Sequence, residues 1–305
     1  MGQSTVAEQS SALRRTLIGI PGRLRRQEGT HARVDGVPFA MPIDTQNSRA
    51  FLAAFTIDAD RAAQMLPGKE LHPFRLWNRG LLMVTVIDYQ QTDIGKYIEF
   101  SIGIACTHGR KAAPRLAPLA LRGRYGFGQY VFDLPVSTEV SVKGGKGIWG
   151  MPKHQASLDF LVDDQRISSQ YDLDGDMAVR IDLTRPKRRG FPFSIGSANY
   201  CGFRGMLMKS YVHFQGTPSF GVLKGAAAKL TIGDHPRVAP LKQLGISDKP
   251  MFTVYYPDFS GVLDDYMEAW FLYFDQPPVT DPEGLESVVN LGLGEDWPPP
   301  PKRQD

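Results

Sequence analysis

Cysteine is nearly missing from this chain. Only Cys106 and Cys201 occur among 305 residues, which excludes a disulfide scaffold and leaves no zinc-ligand spacing. So few thiols in a chain this long fit a reducing compartment, and the expectation is a cytoplasmic protein. Excess charge of one sign is also missing. The formal net charge of +3 is too small to imply a nucleic-acid partner, and the densest basic cluster, Arg185, Lys187, Arg188 and Arg189, lies beside Pro186 and Gly190 and reads as a solvated loop. No apolar run approaches the ~20 residues that a membrane span requires. The basic segment LRRTLIGIPGRLRR (13–26) has a short apolar centre broken by Pro21 and Gly22. It is a poor signal peptide and reads instead as an arm that packs on another subunit of a homo-oligomer. The six histidines are scattered with no HxH or HxxxH pair, so no metal is expected.

Several familiar motifs are missing too. GRYGFGQY (123–130) lacks the GxGxxG order and no helical pattern follows it. Neither a phosphate-binding GxxxxGK[ST] loop nor a GxSxG elbow occurs. Asp172, Asp174 and Asp176 superficially resemble a calcium loop, but the distal glutamate is missing and a hairpin explains them better. No organic cofactor is implied.

Short β-type runs bounded by Gly, Pro or Asp dominate what is present. AFLAAFTI (50–57), LLMVTVID (81–88), IEFSIGIAC (98–106), VSTEVSV (136–142), QASLDFLV (155–162) and MFTVYY (251–256) read as strands. RISSQYDLDGDMAVRIDL (166–183) reads as a hairpin turning at Asp174-Gly175. Helices are few: DADRAAQMLPG (58–68), capped by Asp58 or Asp60, and GVLDDYMEAWFLYF (261–274). The expected fold is mainly β (α+β), a closed or nearly closed antiparallel sheet with a few short helices. The expected organisation is an arm over 1–40, one domain over 41–280 and a Pro-rich extended tail over 281–305.

The chemistry points to GGKGIWGMPKHQASLDF (144–160), where a glycine-rich segment leads through Pro152 to Lys153. A lysine attacks a carbonyl only as the free amine, and a reference pKa of ~10.4 leaves roughly one part in a few thousand in that form at pH 7. Desolvation or a neighbouring positive charge corrects this, and Ile148, Trp149 and Met151 offer an apolar setting. Regular alternation puts Lys153 on one face with Gln155, Ser157 and Asp159. It therefore faces water, faces a cavity inside a barrel, or is re-aimed by a bulge near Gly150-Met151-Pro152.

Three blocks resemble the acetoacetate decarboxylase family: WGMPKH (149–154), DIGKYIEF (93–100) after the apolar strand ending at Asp88, and KLTIGDHPRVAPLKQLGI (229–246). FTIDADRAAQMLP (55–67) is a fainter match, and order and spacing agree over roughly residues 45–270. The resemblance implies an antiparallel β-barrel or cone with Lys153 inside as the Schiff-base lysine. It implies Glu99 as an active-site acid/base and Arg49 as a carboxylate clamp, with Trp149, Met151, His154 and Leu82 in the substrate pocket. The family's second lysine corresponds to His154, and two family glutamates fall at about Leu82 and Gly147. The implied function is a cofactor-free, Schiff-base-forming lyase acting on a small-molecule oxo acid by decarboxylation, aldol or retro-aldol chemistry, or dehydration. The alternative is a non-catalytic barrel that binds an apolar carbonyl ligand.

Overall fold

A computed structural model describes residues 30–203 and 205–273. The basic segment 13–26 and the tail 281–305 lie outside the described residues. The main elements are β1 (Thr30–Val34), β2 (Val37–Met41), β3 (Ile43–Asp58), α1 (Ala59–Met65), β4 (Arg79–Tyr89), β5 (Tyr97–His108), α2 (Ala117–Ala120) and β6 (Gly128–Val136). There follow α3 (Glu139–Trp149), β7 (Lys153–Gln155), β8 (Arg166–Leu173), β9 (Asp176–Thr184), β10 (Phe193–Phe203), β11 (Met206–Gly216), β12 (Ala228–Ile232) and β13 (Pro250–Phe271). Shorter strands are named by residue range.

Seven strands close on themselves in the order β3-β4-β5-β6-β10-β11-β13, with β13 pairing back to β3. The barrel is antiparallel except at the seam where β6 and β10 run parallel. A second sheet, built from Ser157–Leu158, Leu161–Val162, β8, β9 and β12, covers one flank. Between the sheets lies the main core, in which Phe51, Phe100, Ile102 and Ile104 of the barrel meet Ile167, Tyr171, Val179 and Ile181. Burying each such side chain contributes about 1.5–3 kcal/mol.

Both faces of the barrel strands beside the second sheet are covered, so their sequences read as nearly continuous apolar runs. In β4, Leu82, Val84 and Val86 point into the inter-sheet core. Leu81, Met83, Thr85 and Ile87 line the barrel interior. In β5, Phe100, Ile102 and Ile104 join the core, and Glu99, Ser101 and Ala105 face inward.

Local signals place the other elements. Asp58 caps α1, its carboxylate accepting from the amides of Asp60 (2.9 Å) and Arg61 (3.0 Å). The β8–β9 hairpin turns at Asp174 and Gly175, at φ 51° and 91°, the positive values of a type I′ turn.

Three expectations need correction. The span 261–274, expected as a helix, continues β13 to Phe271. The register against β11 moves from Ser210↔Met267 to Val212↔Leu263, so β13 carries extra residues there. That bulge brings Leu263 and Met267, four apart in sequence, against the same apolar cluster, which imitates a helical period. The span 136–142, expected as a strand, ends β6 at Val136 and enters α3 at Glu139. Here packing overrides propensity, because the hairpin β1–β2 and Lys153 press on the glycine face of α3. The span 155–162 is not one strand: β7 pairs with β6, whereas Ser157–Leu158 and Leu161–Val162 pair with β8. The chain crosses there from barrel to second sheet.

Candidate active site

The segment that carries the lysine is a helix, a turn and a short strand. Gly150 ends α3 in the left-handed region, φ 63°, where glycine has no steric penalty. The chain then enters β7, with Lys153 beside Leu134 of β6. This turn settles the question of alternation: Lys153 is 4% exposed and points into the barrel, whereas Gln155 is exposed at the rim.

The other glycines of this segment are explained by close approach. A Cβ on Gly145 would lie 2.3 Å from Cδ of Lys153. One on Gly144 would lie 2.8 Å from the Phe39 ring, and one on Gly147 would lie 2.5 Å from Val34. The hairpin and the lysine thus reach the helix backbone itself.

The Lys153 ammonium donates to Glu99 Oε2 at 2.8 Å and to Ser141 Oγ at 2.9 Å. It lies 5.5 Å from the centre of the Tyr97 ring. Tyr89 donates to Glu99 Oε1 at 3.4 Å and stacks on Tyr97 with ring centres 4.5 Å apart. Tyr97 also stands beside Ser141. Burial, and then the Glu99 charge, hold the pKa values of Tyr97 and Tyr89 well above the ordinary tyrosine range, so both remain phenols. Cys201 is also close, but burial pushes its thiol up to about 12 against the opposing pull of Lys153, and it stays uncharged.

Lys153, Glu99, Ser141, Tyr97 and Tyr89 sit on the wall of a cavity of about 670 Å³ inside the barrel. Trp149 and Met151 are on that wall, and the Trp149 indole donates to the Asp264 carbonyl at 3.2 Å.

Other expected site residues lie elsewhere. Leu82 is fully buried in the inter-sheet core rather than on the cavity wall, because its parity on β4 is the outward one. Arg49 lies off the cavity wall. Its guanidinium pairs with Asp88 of the neighbouring strand and stands 5.4 Å from the Phe160 ring. His154, next to Lys153 on β7, points the opposite way, as neighbouring strand residues must. Its Nε2 is 2.9 Å from Asp133 Oδ1, and Asp133 also accepts from Arg237 Nε at 2.7 Å and from Tyr171 Oη at 2.8 Å. Burial alone would raise the Asp133 carboxyl, but His154 and Arg237 bring it below its ordinary value. This network clasps the two sheets and does not reach the lysine.

Sequence reasoning missed Ser141, Tyr97 and Tyr89. Tyr97 and Glu99 share inward parity on β5, a signal available in YIEF once the strand is assigned. Ser141 had no such signal, because its stretch reads as a strand.

The arrangement suits proton traffic at a buried amine: an acceptor at 2.8 Å, neutral hydroxyl donors beside it, and an apolar space in front. The sequence matches the family description "Acetoacetate decarboxylase (ADC)" over residues 30–192. No curated relative matches the chain. Among solved structures, it is similar to the acetoacetate decarboxylase of Legionella pneumophila subsp. pneumophila str. Philadelphia 1, at TM-score 0.55 and 15% identity over 75% of this chain and 87% of that one. It is similar also to the enduracididine biosynthesis enzyme MppR complexed with pyruvate, at TM-score 0.55 and 16% identity over 77% and 93%. An acetoacetate decarboxylase-like enzyme from Sphingomonas wittichii RW1 superimposes at TM-score 0.54 and 14% identity over 76% and 94%. With its family match spanning more than half the sequence and its lysine inside a closed barrel of the same fold, this chain belongs to the acetoacetate decarboxylase family.

Proposed function

We propose that this protein is an imine-forming lyase that acts on an oxo acid through Lys153. One observation carries the reading: a lysine 4% exposed, at the wall of an apolar cavity, has a carboxylate 2.8 Å from its Nζ. Taking both ions out of water is costly, and Glu99 is the acceptor within reach of a proton on Nζ. Moving one proton from Nζ to Glu99 yields the free amine. The amine adds to the substrate carbonyl carbon and a C–N bond forms; the carbonyl oxygen takes one proton from the adding nitrogen and a second from Glu99, and leaves as water as the C–O bond breaks. The resulting iminium accepts the electron pair of a bond breaking one carbon away, carboxylate or aldol, and the enamine is then reprotonated. Ser141 and Tyr97 hold the amine in position, and the apolar wall favours loss of a carboxylate whose charge it cannot solvate.

Sodium borohydride in the presence of acetoacetate, pyruvate and larger oxo acids tests the reading. A reduced adduct on the Lys153 peptide, seen by mass spectrometry and missing from Lys153→Ala, is the expected result. A wide carbonyl panel leaving Lys153 unmodified would overturn it.

The second reading, a non-catalytic carrier of an apolar carbonyl compound, draws on one feature. Glu99 is the sole carboxylate among the described residues of the cavity wall. Turnover of any trapped oxo acid separates the two.

A further inference from the structure

We propose that the substrate is elongated and largely apolar, with its carbonyl at Lys153 and its tail running along the barrel interior. This rests on the imine-forming reading and adds the class of molecule.

The cavity is long. Glu99 and Lys153 line one end, and Ala105, Leu81 and Phe74 line the same cavity at the other. From Glu99 to Ala105 along β5 the strand rises about 20 Å, at ~3.3 Å per residue. The 670 Å³ volume spread over that ~20 Å path gives a mean cross-section of roughly 30 Å², a channel much longer than it is wide. A small oxo acid would occupy only the lysine end.

The cavity is also mostly apolar between its ends. Met83, Ile87, Val131 and Phe214 stand on its wall; the polar members there are uncharged, Thr85, Ser101, Ser197, and Gln129 and Asn199, which bond to each other. Its cations among the described residues are Lys153 and Arg122, and neither is poised to hold a carboxylate along the way. Lys153 is engaged by Glu99. Arg122, at the far rim, donates to the Gly196 carbonyl at 3.0 Å and stands 5.7 Å from the Phe127 ring. A molecule rich in polar groups would lose water along this path and gain few partners. An alkyl or aryl-alkyl tail loses nothing of the kind and gains apolar burial. Small inward residues on β5, Ser101 and Ala105, leave room along the route.

The test uses unbranched methyl ketones of increasing length on the full chain, with borohydride and mass spectrometry at Lys153. A matching series of primary alcohols, which cannot form an imine, is measured by calorimetry. The half-saturating ketone concentration is expected to fall about three- to fourfold per added methylene until the cavity is full, the change that corresponds to ~0.8 kcal/mol per buried CH₂. The alcohols should follow the same trend. Ketones trapped with no dependence on length, together with length-independent alcohols, overturn the elongated substrate and leave the imine reading standing. Length-dependent alcohols with no ketone trapped overturn the placement of a carbonyl at Lys153.

Discussion

Gly145 and Lys153 occupy one another's space: a Cβ on the glycine would come within 2.3 Å of Cδ of the lysine. The helix backbone at Gly145 is therefore the back wall of the lysine's slot. In an unobstructed helix, Gly→Ala stabilises by roughly 0.5–1 kcal/mol. Here Gly145→Ala is expected to push the lysine off Glu99 and Ser141 and to slow borohydride trapping at least about tenfold, as a misplaced reacting group should. Trapping kinetics and a melting curve on the same sample check this. Unaltered trapping would mean that the slot is not what sets the lysine's position.

Glu99→Gln keeps the size of the side chain and its contact with Nζ but removes the proton acceptor. General acid–base assistance contributes about 10²–10⁴-fold, so the imine-forming rate should fall within that range while ligand affinity changes little. Rates followed as a function of pH check it. In the variant the rate should rise steadily with pH as solvent base replaces the carboxylate.

Asp133 couples the two sheets, and its depressed carboxyl gives the stability a pH signature. A group held below its unfolded value, ordinarily 3.8, contributes stability that is complete above that value and lost as pH falls through the folded one. Asp133→Asn should cost about 3 kcal/mol at pH 7, since His154 and Arg237 lose a buried partner. Urea titrations should show the gap between wild type and variant narrowing below about pH 4. A gap that stays constant with pH would indicate that packing, not charge, is lost.

Leu82 and Cys106 belong to the inter-sheet core, so Leu82→Ala should destabilise by about 2–5 kcal/mol. At a temperature where the variant is folded, ketone trapping should stay within about twofold of wild type. Denaturation and trapping assays read the two effects separately.

Arg49 is half-exposed and paired with Asp88 on the outside of the cavity wall. Arg49→Ala should cost under about 1 kcal/mol of stability and should leave oxo-acid affinity within about twofold. A large rise in the concentration needed for trapping would restore the carboxylate-clamp role.

Much of this architecture is legible in the chain itself. Apolar runs such as AFLAAFTI and LLMVTVID become strands because β propensity and two-sided burial agree there. Asp174-Gly175 turns because both positions take positive φ, and Asp58 caps because its carboxylate meets free amides. Lys153 and Glu99, both singled out from the sequence, lie 2.8 Å apart. What local pattern misses is decided at a distance. The bulge near Leu263 depends on a register with β11, and α3 forms over three glycines because other elements press on its backbone. Arg49, Leu82 and His154 sit near the lysine in sequence motif or in strand order, but their parity turns them away from it.

That parity has a consequence for how such a protein changes over time. Along β4 and β5, odd-numbered positions shape the void and even-numbered positions glue the sheets together. Selection acting on one set leaves the other nearly untouched, so new ligand preferences can arise here without the loss of folding that usually accompanies innovation in a buried site.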